Sequence, residues 1–78
     1  MQAFILVNIT GENPASVARL MTNIEEVKNA HVVSGNCDVV AEIECNNFVE
    51  LREDIQKKLY NIKGVKRLST LVVATRKV

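Results

Sequence analysis

Gly35-Asn36 lies near the midpoint of the chain, between two runs that read as β-strands, and this pair limits the fold more than any other feature. Glycine takes positive φ at no steric cost and asparagine tolerates it, so the dipeptide predicts a tight two-residue hairpin turn. The flanking runs, Val27 to Ser34 and Cys37 to Cys45, then become adjacent antiparallel strands. Pairing across the turn puts Val32, Val39, Ala41 and Ile43 on one face. His31, Val33, Asp38, Val40, Glu42 and Glu44 fall on the other. A hairpin with one apolar face must bury it against another layer.

Each half of the chain supplies part of that layer. Residues 3–10 form a β-branched apolar run stopped by Thr10-Gly11 and read as a strand. Asn13-Pro14 follows, an N-cap and a proline suited to the first helical position. Val17, Leu20, Met21 and Ile24 then recur at helical spacing. In the second half, Asn47 with Glu50 three residues later is a variant capping box. Phe48, Leu51, Ile55, Leu59 and Ile62 make a second helical stripe, and Lys57-Lys58 suits its C-terminal end. Gly64 ends the turn and Val65 to Ala74 reads as the last strand. Asn23-Ile24 with Val27-Lys28 is echoed by Asn61-Ile62 with Val65-Lys66, each at a helix-to-strand junction. The order β-α-β-β-α-β predicts an α+β, ferredoxin-like domain, a four-stranded antiparallel sheet with two helices on one face.

Composition excludes several classes of function. A chain of 78 residues has room for one domain with a thin core. Ten basic against nine acidic residues leave no strong field for nucleic acid or anionic lipid. No apolar run reaches the length of a membrane span, and the first residues lack the charge and cleavage pattern of a signal peptide. A cytoplasmic protein with reduced thiols is expected. Cys37 and Cys45 lie about 27 Å apart along an extended strand, too far for a disulfide or a shared metal. With a single histidine, His31, the chain offers no metal site. Neither a phosphate loop nor a nucleophile beside a base is present, and the hairpin strands carry no aromatic for stacking RNA bases. No cofactor and no catalysis are expected.

Two helices cover only one face of such a sheet. Phe4-Ile5-Leu6-Val7 and Leu71-Val72-Val73-Ala74 are apolar on both sides, so the open face should be buried against a second copy rather than by edge strands or the C-terminal tail folding over it. The polar features concentrate at Ser34-Gly35-Asn36-Cys37-Asp38. Backbone N–H groups of a glycine turn can hold a carboxylate, and Asp38 can hold an ammonium group; together they suit an amino acid. The residues alone favour a plain turn with Asp38 as a solvated rim charge. Ser69 and Thr70 interrupt the last apolar run and fit either ligand contact or simple strand preference.

Ala3-Phe4-Ile5-Leu6-Val7, His31-Val32-Val33-Ser34-Gly35 followed by Asp38, and Leu68-Ser69-Thr70-Leu71-Val72-Val73 resemble the effector-binding domain of Lrp/AsnC transcription regulators, the RAM domain. The resemblance covers nearly the whole chain, read as a single domain over residues 1–78, and Val32-Val33-Ser34-Gly35 with Asp38 is its most specific part. It implies sheet-to-sheet dimers, rings of dimers such as octamers, and amino-acid effectors bound between dimers near the hairpin. By that resemblance Ser34, Gly35 and Asn36 meet the ligand main chain, Asp38 its amino group, and Ser69 and Thr70 add contacts. Full regulators carry a helix-turn-helix before this domain; the chain resembles the stand-alone form, for which no operator binding is expected. Cys37 stands where the family commonly has an aromatic, which bears on pocket shape.

The sequence thus predicts a non-catalytic module that senses a small amino acid at a subunit interface and can mix with full-length regulators. Two other classes remain: an assembly scaffold without ligand binding, and a small enzyme whose site forms between subunits.

Overall fold

The computed structural model describes residues 1–74. Strands β1 (Gln2–Ile9), β2 (Val27–Val32), β3 (Val39–Glu44) and β4 (Val65–Val72) form one sheet in the order β2-β3-β1-β4, every neighbouring pair antiparallel. Helix α1 (Pro14–Met21) connects β1 to β2. A second helix, α2, connects β3 to β4 and is built from Phe48–Glu50, a π-helical middle at Leu51–Ile55, and Gln56–Tyr60. This is the ferredoxin-like βαββαβ arrangement.

Alternation along the strands sorts the faces. Ala3, Ile5 and Val7 of β1 and Val39, Ala41 and Ile43 of β3 are fully buried under the helices. Val17, Ala18 and Met21 of α1 and Leu51, Ile55 and Leu59 of α2 close on them. Burying one such aliphatic side chain stabilises by about 1.5–3 kcal/mol, so this double layer is the source of stability. The even-numbered residues of β1 point the other way. With their register partners they form an open face of Phe4, Leu6, Val40 and Leu71, edged by Gln2, Asn29, His31, Glu42 and Ser69.

Both helix starts follow their caps. The Asn13 Oδ1 accepts from the Ala15 N–H at 2.8 Å, with Pro14 next in the first turn. The Asn47 Oδ1 accepts from the Glu50 N–H at 2.9 Å, while the Glu50 carboxylate accepts from the Asn46 N–H rather than from that of Asn47. The stripes differ from expectation at their ends. Leu20 is 51% exposed and Ala18 takes its place in the core. Helix α1 stops at Met21, so Ile24 packs from the turn. Phe48 is 57% exposed because it opens the first turn of α2, ahead of the part that lies on the sheet. In the π segment the Gln56 N–H reaches back five residues to the Leu51 carbonyl, a widening that helical periodicity does not announce.

The hairpin keeps its expected register, Val32 with Val39 and His31 with Val40, but not its expected length. The strands end at Val32 and resume at Val39, leaving six residues between them. Gly35 has φ 139°, whereas Asn36 does not take positive φ. The cause lies in β1. The Val7 carbonyl accepts from the Asp38 N–H at 2.8 Å, while the Val33 N–H donates to the Asp38 carbonyl at 3.0 Å. The central strand therefore draws the base of the loop away from the two-residue turn. The last strand is likewise shorter than the expected run to Ala74, although the Val73 N–H still donates to the Gln2 carbonyl at 2.9 Å.

Candidate functional site

The loop of residues 33–38 caps one end of the sheet, against the last residues of β1. Ser34, Gly35 and Asn36 are exposed. A Cβ on Gly35 would meet nothing within 4 Å, so glycine is required here by its φ and not by crowding. Asn8 ties the loop down, its Nδ2 donating to the Asn36 carbonyl at 2.9 Å. Cys37 is buried beneath the loop, and Cys45 is buried at the far end of β3; both are free thiols. Burial pushes the Cys45 thiol up, away from thiolate chemistry.

Asp38 is half-buried and its Oδ2 accepts from the Ile9 N–H at 2.8 Å. Ile9 follows a bulge in the pairing of β1 with β4, and its N–H would otherwise be orphaned at the strand end. Asp38 therefore closes the β1 ladder with one oxygen. The other oxygen has no hydrogen-bond partner among the described residues. The carboxylate is thus positioned by the backbone with acceptor capacity left over, an arrangement suited to an ammonium donor.

Ser69 and Thr70 do not act as a pair. Ser69 is opposite Leu6 on the open face and is exposed. Thr70 is opposite Ile5 on the helix side, where its Oγ1 accepts from the Gln56 Nε2 at 2.7 Å. Adjacent strand residues face opposite ways, so one chain cannot offer both hydroxyls to one ligand on one face. Thr70 instead joins α2 to the edge strand, as does the Tyr60 hydroxyl, which accepts from the Leu68 N–H at 3.3 Å. Neither β4 residue is joined to the loop by a hydrogen bond among the described residues.

Sequence reading missed two polar arrangements. Asn8 is one, since its bond to the Asn36 carbonyl spans residues far apart in sequence that no local pattern pairs. The other is Glu42, whose carboxylate accepts from the Gln2 Nε2 at 2.7 Å and the Asn29 Nδ2 at 2.9 Å on the open face. The Asn29 bond first and the Gln2 bond second hold this carboxyl below its ordinary value. An open cleft of about 490 Å³ lies at the opposite end of the β2–β3 hairpin, among Glu25, Glu26, Glu44 and Glu50, and none of the predicted site residues lines it. No group of His, Cys, Asp and Glu among the described residues could hold a metal ion. No helix among them is long and apolar enough to cross a membrane.

The family model for the Lrp/AsnC ligand binding domain matches residues 2–78. The chain belongs to the Lrp/AsnC ligand-binding domain family. Among solved structures it is similar to hypothetical protein PHS023 from Pyrococcus horikoshii, at 25% identity and TM-score 0.83, covering 96% of this chain and 90% of that one. TTHA0845 from Thermus thermophilus shares 22% identity at TM-score 0.88, with 99% and 96% covered. The transcriptional regulator NMB0573 from Neisseria meningitidis, solved as a complex with L-Met, shares 20% identity at TM-score 0.79. That match takes in 99% of this Lrp/AsnC domain and 52% of the regulator. No curated protein sequence matches. The family assignment accounts for the ferredoxin-like fold and makes the chain a regulator-related ligand-binding module.

Proposed function

We propose that this Lrp/AsnC domain is a non-catalytic amino-acid sensor that binds its effector at the loop of residues 34–38 and works as an oligomer. The Asp38 carboxylate supports this most directly: one oxygen is fixed by the Ile9 N–H, the other is unengaged among the described residues, and a glycine loop lies beside it. Family membership supports a ligand, and the L-Met complex of NMB0573 supports an amino acid as its class. In this reading Ser34, Gly35 and Asn36 meet the ligand main chain and Asp38 its ammonium group. Ser69, on the open face and apart from the loop, acts from a second copy, while Thr70 stays with Gln56 on the helix side.

The open sheet face supports self-association. Leu71 is 57% exposed beside Phe4, Leu6 and Val40, an apolar strip with a polar rim. A second copy packed sheet to sheet covers it, and rings of such dimers, octamers included, place loops near neighbouring edges. The same face allows mixing with full-length regulators in the cytoplasm, without direct contact of this domain to nucleic acid. An effector shifts such an assembly only if it prefers one state.

Isothermal titration of wild type and Asp38→Asn with the twenty amino acids tests the site. Binding by wild type that weakens at least about tenfold in the variant is expected, the loss of one charge-assisted bond; equal binding removes Asp38 from the site. One observation favours a scaffold without ligand: Cys37 is buried where the family commonly has an aromatic. Absence of binding by wild type, with the oligomer intact, would select that reading.

A further inference from the structure

Arg67 is exposed at the loop end of β4, with no ion-pair partner among the described residues. It is opposite Asn8 in register, on the side of β4 that carries Ser69 and Leu71. Asn8 in turn holds the loop through the Asn36 carbonyl, and the next residue, Ile9, holds Asp38. Three neighbouring strands thus bring a cation, an amide and a carboxylate to one corner of the sheet: Arg67 from β4, Asn8 from β1, and Asp38 just before β3.

The spacing is informative. Paired Cα atoms on adjacent antiparallel strands are about 4.5–5.5 Å apart, so Arg67 and Asp38 are separated by the single strand β1. They do not form a direct ion pair. Opposite charges on the two sides of β1, unjoined to each other, fit a molecule that carries both complements on one carbon. An α-amino acid does: its ammonium group meets the unengaged Asp38 oxygen, and its carboxylate meets the guanidinium, whose planar fork matches two oxygens.

We propose that Arg67 binds the carboxylate of an α-amino acid whose ammonium group is held by Asp38, with Asn8 as the positioning residue that fixes the loop between them. This rests on the amino-acid-binding reading above and adds a requirement to it. The site takes the free zwitterion and discriminates against the α-amide, which keeps the ammonium group but loses the negative charge.

Titration calorimetry on the full chain tests this. The twenty L-amino acids are titrated first, then the α-amide of the tightest binder, against wild type, Arg67→Gln and Arg67→Lys. A charge-assisted hydrogen bond is worth about ten- to a hundredfold in affinity, so wild type should prefer the acid over the amide by at least about tenfold. Arg67→Gln should lose that preference while melting as wild type does, because Arg67 is exposed and has no ion-pair partner among the described residues. Arg67→Lys should keep part of it. An unchanged acid-to-amide ratio in Arg67→Gln overturns the role of Arg67 and leaves amino-acid binding intact. Wild type that binds no amino acid overturns both. A lowered mass by light scattering with unchanged affinity assigns Arg67 to a contact between copies and also overturns the proposal.

Discussion

Asp38 has a structural task and a proposed one, which substitutions can separate. Its Oδ2 satisfies the Ile9 N–H, and its other oxygen has no hydrogen-bond partner among the described residues. Asp38→Asn retains an acceptor for Ile9, so unfolding in urea should show a loss under about 1 kcal/mol, while Asp38→Ala, which strands a backbone donor, should lose about 1–3 kcal/mol. Similar losses for both variants would contradict the capping role. Gly35→Ala should cost about 1 kcal/mol or more through its φ of 139° alone, since no atom obstructs the new methyl. Glu42 carries a pH signature. Its folded carboxyl titrates below its ordinary value, so its contribution is present above that value and disappears as pH falls through the lowered one. Glu42→Gln should flatten the acid limb of the stability–pH profile; an unchanged limb would mean that the Asn29 and Gln2 bonds contribute nothing. At this scale Asp38 and Gly35 were legible because aspartate and glycine in a turn announce their chemistry. Asn8 and Glu42 were not, because their partners are set by strand register and lie far away in sequence.

At the scale of elements, caps and periodicity carried most of the information. Asn13-Pro14 and Asn47 start helices where expected because their bonds are local. Buried triplets such as Leu51, Ile55 and Leu59 were visible as a stripe, whereas the π turn was not: Leu51 and Ile55 stay four apart whether the bond spans four residues or five. The shortened hairpin shows the same limit, since Gly35-Asn36 specifies its own turn but not the pull of the Val7 carbonyl on Asp38. The Gln56–Thr70 bond joins α2 to the edge strand and is testable by a double-mutant cycle. Gln56→Ala or Thr70→Val should each cost about 1 kcal/mol, and together less than the sum. Additive losses would show that the two side chains act independently.

For the whole molecule, the βαββαβ order was legible and its use as an assembly unit is the remaining physical question. One sheet face is closed by α1 and α2; the other presents Phe4, Leu6, Val40 and Leu71. Leu71 is exposed in the single chain, so Leu71→Glu should leave the melting of an isolated subunit nearly unchanged while opposing sheet-to-sheet contact. Light scattering at micromolar concentration should give a dimer or larger for wild type and a smaller species for the variant. A monomeric wild type would contradict assembly through this face.

The central claim, that this Lrp/AsnC domain senses an amino acid, is tested most directly by melting the protein in the presence of each of the twenty amino acids at millimolar concentration. A ligand at ten times its dissociation constant stabilises by about 1.4 kcal/mol, or roughly 5–10 °C in a domain of this size. One or a few amino acids should give such a shift with wild type and not with Asp38→Asn. No shift from any of them, in a protein that remains oligomeric, would contradict the sensor and leave an assembly module.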